Sequence, residues 1–387
     1  MRRRRRPPRS PSSSPKASAS APAETNLSNE EKINLLDLDQ PAMEALVQAL
    51  GAKPFHGRNL LKWIHKHGVT EIGRMTDLSK GLREQLLARA EVRVPEVVFD
   101  QPSRDGTHKW VLELECGNRV ETVFIPESGR GTLCVSSQVG CSLDCSFCST
   151  AQQGYNRNLS LAEIIGQLWV AVHRMHKPVT NVVMMGMGEP LANFEPVVSA
   201  MAIMQNDLAY MLSKYRVTIS TSGIVPALLR LKEVSDVSLA VSLHAPTNEL
   251  RDELVPINRK YPLEMLIPAC REFIRGDSRR KVTWEYVMLD GVNDSDRQAR
   301  QLIRLLEGTP SKINLIPFNP FPGTRYRCSP AERMLAFRER LMRAGIVTLT
   351  RKTRGDDIDA ACGQLVGRVQ DRSRRELRLA RVQPGGG

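Results

Sequence analysis

From Thr132 onward, short β-rich runs alternate with helical stretches six times, and this alternation restricts the fold more than any other feature of the chain. The runs are Thr132–Ser137, Asn181–Met185, Arg216–Thr221, Val237–Leu243, Val282–Met288 and Lys312–Pro317. Helical stretches stand between and after them, near 160–175, 195–212, 225–233, 262–275, 295–307 and 330–344. Strand–helix–strand units of this kind cross over right-handed and build a parallel sheet. Six repeats fall short of the eight of a closed barrel. The α/β fold that fits is an open, three-quarter (β/α)6 barrel. Such folds bind ligands at the C-terminal ends of their strands, and the polar motifs of this chain fall there. A cysteine-rich loop follows the first run, and Gly186-Met187-Gly188-Glu189-Pro190 ends the second. Ser220-Thr-Ser-Gly ends the third, Ser242-Leu243-His244 the fourth, and Asn319 follows the sixth.

Upstream of the alternation the composition changes twice. Residues 1–25 are rich in Arg, Pro, Ser and Ala; too little apolar surface is present to offset the entropy of ordering, so a disordered basic tail is expected. Residues 26–98 carry apolar residues at helical spacing, with helices expected over Ala42–Leu50, Asn59–His67 and Leu78–Ala90. Their Lys- and Arg-bearing faces are either solvated or an RNA-docking surface, and 26–98 is read as a helical RNA-binding domain. Residues 99–126 read as a linking hairpin around Gly117-Asn118. The core is then 127–366, followed by a basic, flexible tail over 367–387.

The net charge of +13 is concentrated at the ends. Residues 1–25 carry +6 and residues 366–387 carry +4, which leaves +3 for everything between. Basic ends suit a polyanion such as nucleic acid. No apolar stretch reaches the roughly 18–20 residues that span a bilayer, and no apolar segment backs the basic N-terminus as in an export signal. The expectation is a cytoplasmic protein without membrane contact. Its eight cysteines are then reduced rather than paired into a disulfide framework.

Cys141, Cys145 and Cys148 stand in the spacing C-x3-C-x2-C, with Phe147 before the third. Three thiolates can hold three irons of a [4Fe-4S] cluster and leave the fourth open to a substrate. Zinc is the other reading, with Cys134 as fourth ligand, although structural zinc more often pairs two short knuckles across a longer spacer. Glycines in Gly186–Pro190 let the main chain approach a ligand, and Glu189 can accept hydrogen bonds from an ammonium group. Ser220 and Ser242 suit ribose hydroxyls, and His244 or Asn319 an adenine or carboxylate. Each of these taken singly is as well explained as a turn or capping residue. Glu121 reads as an exposed strand carboxylate. Cys116, Cys270 and Cys328 have no distinctive setting and read as structural. Cys362 lies in Gly355-Asp-Asp-Ile-Asp-Ala-Ala-Cys-Gly, too small and polar a segment for a core strand, which argues against an inert buried thiol.

Taken together the motifs resemble one family. Asn34-Leu-Leu-Asp-Leu-Asp, Lys53-Pro-Phe-His-Gly-Arg, Trp63-Ile-His and Met75-Thr-Asp-Leu-Ser-Lys are similar to its N-terminal domain. Val135-Ser-Ser-Gln-Val-Gly-Cys141, Cys145-Ser-Phe-Cys148-Ser-Thr-Ala-Gln-Gln-Gly and Met185-Gly-Met-Gly-Glu-Pro are similar to its core, as are Ser242-Leu-His-Ala, Ile313-Asn-Leu-Ile-Pro-Phe-Asn-Pro and the Cys362 segment. Over about residues 34–366 the chain resembles the radical S-adenosylmethionine (SAM) RNA methyltransferases of the dual-specificity, adenosine-C2 type.

The resemblance implies one [4Fe-4S] cluster on Cys141, Cys145 and Cys148, and SAM contacts from Gly188, Glu189, Ser220, Ser242, Leu243, His244 and Asn319. It also implies Cys362 as methyl carrier, Cys134 as a second catalytic thiol that pairs with it in a transient disulfide, and Glu121 as proton acceptor. The implied substrates are 23S rRNA at the peptidyl-transferase centre and tRNA next to the anticodon. An electron donor such as flavodoxin or ferredoxin, and a monomeric enzyme, complete the expectation. The alternative is the C8-adenosine rRNA methyltransferase of the antibiotic-resistance type, which has the same cysteines.

Overall fold

The computed structural model describes residues 32–352, 354–358, 365 and 372. Cys362, the 1–25 tail and, apart from Arg372, the 367–387 tail lie outside the described residues. The N-terminal part contains three helices, α1 (Gln40–Ala49), α2 (Phe55–Leu61) and α3 (Lys80–Arg89). A short parallel pair, β1 (Ile33–Asn34) with β2 (Ala90–Glu91), ties its two ends together. Asp39 starts α1 by accepting the Ala42 N–H, and Pro at the first turn removes a donor that would have no partner.

Three antiparallel strands come next: β3 (Glu96–Pro102), β4 (His108–Glu113) and β5 (Arg119–Glu127). The parallel strands follow. They are β6 (Arg130–Cys134), β9 (Asn181–Met184), β10 (Val217–Thr221), β11 (Ser238–Ser242), β12 (Val282–Met288), β13 (Ser311–Pro317) and β14 (Val347–Thr350). Between β6 and β9 lie a small pair, β7 (Gln138–Gly140) and β8 (Tyr155–Asn158), the short helix α4 (Ser149–Gln152), and α5 (Leu161–Trp169). The remaining helices are α6 (Phe194–Gln205), α7 (Val225–Val234), α8 (Asn248–Leu254), α9 (Leu263–Ile274), α10 (Asp296–Leu305) and α11 (Ala331–Arg343).

All ten large strands form one sheet in the order β14-β13-β12-β11-β10-β9-β6-β5-β4-β3. It is open, with β14 at one edge and β3 at the other, and is the α/β partial barrel expected from the sequence. The six expected strands are present. A seventh parallel strand, β14, adds to the far edge, and the expected hairpin is two-thirds of a meander continuous with the barrel sheet. The hairpin turn is longer than Gly117-Asn118 alone: it runs from Leu114 to Asn118, with Gly117 at φ +73°.

The inner strands are nearly continuous apolar runs because helices and the barrel interior cover both faces. Val182, Val183 and Met184 of β9 and Leu239, Ala240 and Val241 of β11 are all buried. The N-terminal helices dock on α5 and α6. Trp169 donates its indole N–H to the Ile64 carbonyl at 2.9 Å, and Asp37 accepts the Ala162 N–H at 2.8 Å, capping α5 from outside. His65 is buried in this seam, its Nδ1 3.3 Å from the Tyr210 hydroxyl. Burial, followed by the neighbouring His173, lowers its pKa to about 3.

Candidate active site

One cavity opens at the C-terminal ends of the parallel strands, with about 1030 Å³ of empty space that includes open solvent. Cys141, Cys145 and Cys148 are on its wall together with Gly188, Glu189, Ser220, Ser242, His244 and Asn319. Leu243 is not; its side chain is in the core, while its main chain accepts a hydrogen bond from Arg251 and donates to Glu285. Cys134 is not on the wall either. It is a paired residue of β6, opposite Val123 on one side and Val183 on the other.

The cysteine loop is set by local geometry. At Gly140, with φ +77°, an added Cβ would fall 2.1 Å from the Gly154 carbonyl oxygen, so only glycine lets β7 and β8 close below the loop. The Cys141 N–H then bonds that same carbonyl at 2.9 Å. Gln138 links the loop to the second motif: its Oε1 accepts the Ser142 N–H at 3.1 Å and the Glu189 N–H at 3.0 Å. From the other side Ser146 N–H donates to the Leu254 carbonyl of α8 at 3.1 Å.

Burial, and then mutual repulsion with the other loop thiols, pushes the Cys141 thiol well above its ordinary range and Cys145 up to about 12. Crowded buried thiols of this kind become thiolates when cationic iron compensates them. The donors therefore suit an iron–sulfur cluster. The zinc reading needs Cys134 beside the other three, and the wall that carries those three does not include it.

Glu189 lies in the loop after β9, where it caps the turn Pro190–Asn193, and is buried. Burial raises its pKa, against the pull of the Ser222 N–H at 2.7 Å and the Leu191 N–H at 3.0 Å. His244 sits at φ +58°, an uncommon conformation for a non-glycine residue. Its Nδ1 accepts the Val287 N–H at 3.0 Å, and burial, then nearby Arg251, lowers its pKa to about 3. The ring is therefore neutral with its proton on Nε2, leaving an N–H donor. Phe147 packs edge-on against it at 4.5 Å between ring centroids.

Glu121 corrects an expectation: it is buried on β5, not exposed, and pairs with Lys109 at 3.5 Å. It is two residues from Val123, the register partner of Cys134, so Glu121 and Cys134 share a face of the sheet. Cys116 is exposed in the hairpin turn. Partial burial pushes its thiol up, but donors from Asn118 and Arg157 outweigh this and hold it below its usual range.

Three charged residues at the site, Glu285, Arg351 and Arg251, went unread in the sequence. Glu285, on β12, reaches the cavity wall; burial raises its pKa, and Asn314 donates to its Oε1 at 2.8 Å while Arg351 stands 3.7 Å from Oε2. A carboxylate inside the apolar run Val282-Thr-Trp-Glu-Tyr-Val-Met was the available signal. Arg251 is fully buried below the loop. It lies in Asn248-Glu-Leu-Arg-Asp-Glu-Leu, a charged helix that reads as solvated, and nothing in the sequence marked it.

Comparison with known proteins bears on this site. Residues 33–92 match the ribosomal RNA large subunit methyltransferase N-terminal domain, and residues 135–303 match the radical SAM superfamily. The dual-specificity RNA methyltransferase RlmN of Alkalilimnicola ehrlichii is 62% identical over 350 residues, covering 90% of this chain and 97% of its own. The protein of the same name from Marinobacter nauticus is 57% identical over 360 residues, covering 91% and 98%. Among solved structures, a radical SAM methyltransferase from Sphaerobacter thermophilus matches with a TM-score of 0.80 and 41% identity, covering 86% of this chain and 99% of its own. With both domains in sequence order and this identity along most of its length, the chain belongs to the RlmN family of radical SAM RNA methyltransferases, enzymes that use a [4Fe-4S] cluster and SAM.

Proposed function

We propose that this enzyme methylates C2 of adenosine in 23S rRNA, at the peptidyl-transferase centre, and in tRNA next to the anticodon, with two SAM molecules consumed per turnover. The observation that carries the reading is the single cavity faced by Cys141, Cys145, Cys148, Glu189, Ser220, Ser242, His244 and Asn319, in a chain whose relatives bear the name dual-specificity RNA methyltransferase.

Cys141, Cys145 and Cys148 hold the cluster. When bound, it supplies the electron that splits SAM into methionine and a 5′-deoxyadenosyl radical. Glu189 takes the SAM ammonium, whose charge compensates its burial. Ser220 and Ser242 bind the ribose hydroxyls; Gly188 and the Leu243 main chain border the ligand, and His244 and Asn319 hold its adenine and carboxylate ends. Adenine C2 is electron-poor and does not attack a sulfonium methyl, so Cys362 carries the methyl first. Its thiolate displaces the methyl from one SAM and releases S-adenosylhomocysteine. Cys362 would then yield a hydrogen atom of its S-methyl to the deoxyadenosyl radical, and the methylene radical left on Cys362 would add to C2. Glu121 would take the C2 proton, and the unpaired electron of the adduct would return to the cluster held by Cys141, Cys145 and Cys148. Attack of the Cys134 thiolate on the Cys362 sulfur then frees the methylated base after protonation, and leaves a Cys134–Cys362 disulfide to be reduced.

The target base must be unstacked to reach the cavity. Residues 26–98 hold the RNA. Support for this comes from exposed Lys53, Arg58, Lys66, Arg74, Lys80 and Arg89 on that segment. The enzyme acts as a cytoplasmic monomer supplied by flavodoxin or ferredoxin; no helix among the described residues is long and apolar enough to cross a membrane.

The test is anaerobic incubation of reconstituted protein, SAM and reductant with unmodified 23S rRNA and tRNA, followed by nucleoside mass spectrometry. The expected product is 2-methyladenosine in both RNAs, absent with C362A. A product carrying the methyl at C8 alone overturns the assignment.

A further inference from the structure

Arg251 is a buried cation of α8 that lies next to the cysteine loop. Its side chain is fully buried, and its guanidinium makes four hydrogen bonds, every one to a neutral acceptor. They are the carbonyls of Ser222 (2.7 Å), Ser242 (3.1 Å) and Leu243 (3.2 Å) and the amide oxygen of Asn258 (2.8 Å). A buried cation with only dipolar partners is costly, because paired opposite charge is what normally offsets its desolvation. Asp252, its chain neighbour, instead accepts a hydrogen bond from the Asn258 amide at 2.6 Å.

The nearest functional charge is the cysteine loop. The Ser222 hydroxyl bonds the Cys145 sulfur, while the Ser222 carbonyl accepts from Arg251 and the Ser222 N–H donates to Glu189. One residue thus stands between the thiol, the carboxylate and the guanidinium. The residue that follows Cys145 is fixed to the same helix as Arg251, through Ser146 N–H and the Leu254 carbonyl. Cys145 and Arg251 also stabilise each other's charged forms through space.

We infer that Arg251 is a positioning residue that also tunes the cluster, because its fixed positive charge beneath Cys145 favours the reduced state and so raises the reduction potential. The inference rests on the reading that Cys145 is a cluster ligand. Cluster potentials respond to net charge, hydrogen bonds to sulfur and burial. A cation held in a low-dielectric site acts more strongly than one at the surface. Reduction adds one negative charge to the cluster, and Arg251 stabilises that state more than the oxidised one.

Reconstituted wild type, R251K and R251Q can be titrated electrochemically under anaerobic conditions with the reduced cluster counted by electron paramagnetic resonance, alongside thermal melts of the same samples. Both variants should melt at lower temperature, since both lose the planar fork. In R251Q the ratio of reduced to oxidised cluster at a fixed electrode potential should fall about tenfold, or about 59 mV for a one-electron couple. In R251K, which keeps the charge, the ratio should stay within about threefold of wild type. An unchanged potential in R251Q, or an equal fall in both variants, overturns the inference and leaves Arg251 a structural staple. If R251Q does not accumulate as folded protein, R251K decides: a ratio within threefold upholds the inference, and a tenfold fall overturns it. Failure of the ligand reading is seen separately, as a C145A protein that retains its full iron complement.

Discussion

Two opposed forces act on the Glu189 carboxyl group. Burial favours the neutral acid, while the Ser222 and Leu191 N–H groups favour the carboxylate. An incoming ammonium tips the balance toward the ion and expels the proton. SAM affinity, measured by equilibrium binding to the anaerobic holoenzyme, should therefore weaken as pH falls through the raised Glu189 pKa. In E189Q, affinity should be about 10- to 100-fold lower, the worth of a hydrogen bond to a charged group, and lose that pH dependence. A pH profile in E189Q parallel to that of wild type would assign the proton elsewhere. At this scale the sequence was informative where a residue type is tied to a loop motif, as with Glu189, Ser242 and the three cysteines. It was silent on Arg251, because nothing in a run such as Glu249-Leu-Arg-Asp-Glu tells which charge the fold will turn inward. It misjudged the exposure of Glu121, since burial of a strand carboxylate depends on what the neighbouring strand supplies, here Lys109.

Among the elements, the β7–β8 pair is the one on which the cysteine loop hangs. The contact of Gly140 with Gly154 leaves no room for a side chain, and the positive φ adds strain for any other residue. G140A should destabilise the protein by about 2–4 kcal/mol in denaturant unfolding and lower bound iron after reconstitution. Wild-type iron content and stability would show that the loop does not depend on this closure. Six of the seven parallel strands were readable because each is an apolar run between helical stretches. Strand β14 was missed because it is four residues long and half exposed at an edge, with little of the burial that makes a β pattern visible. Strand β3 was missed for the same reason: Glu96–Pro102 is exposed at most positions and takes its regularity from pairing with β4.

For the molecule as a whole, two buried imidazoles set an acid limit. His65, in the seam between the N-terminal helices and the barrel, and His244, in the cavity, both have folded pKa values lowered to about 3 from 6.5. The unfolded chain binds a proton at each below 6.5 while the folded chain does not until about 3, so stability falls as pH drops through that window. Each contributes about 1.4 kcal/mol per pH unit at most. Replacing His65 by Gln should reduce the slope of unfolding free energy against pH, between about pH 5 and 6, by roughly that amount. An unaltered slope would mean that this imidazole protonates in the native state.

Among the described residues the sheet does not join its first edge to its last. A closed ring of strands fixes the width of its own mouth, whereas an unclosed one leaves the mouth at the strand ends wider. Such a mouth suits one nucleotide of a folded polymer, with the chain on either side of it left in solvent. Internal positions of long RNAs are therefore reachable without a free terminus.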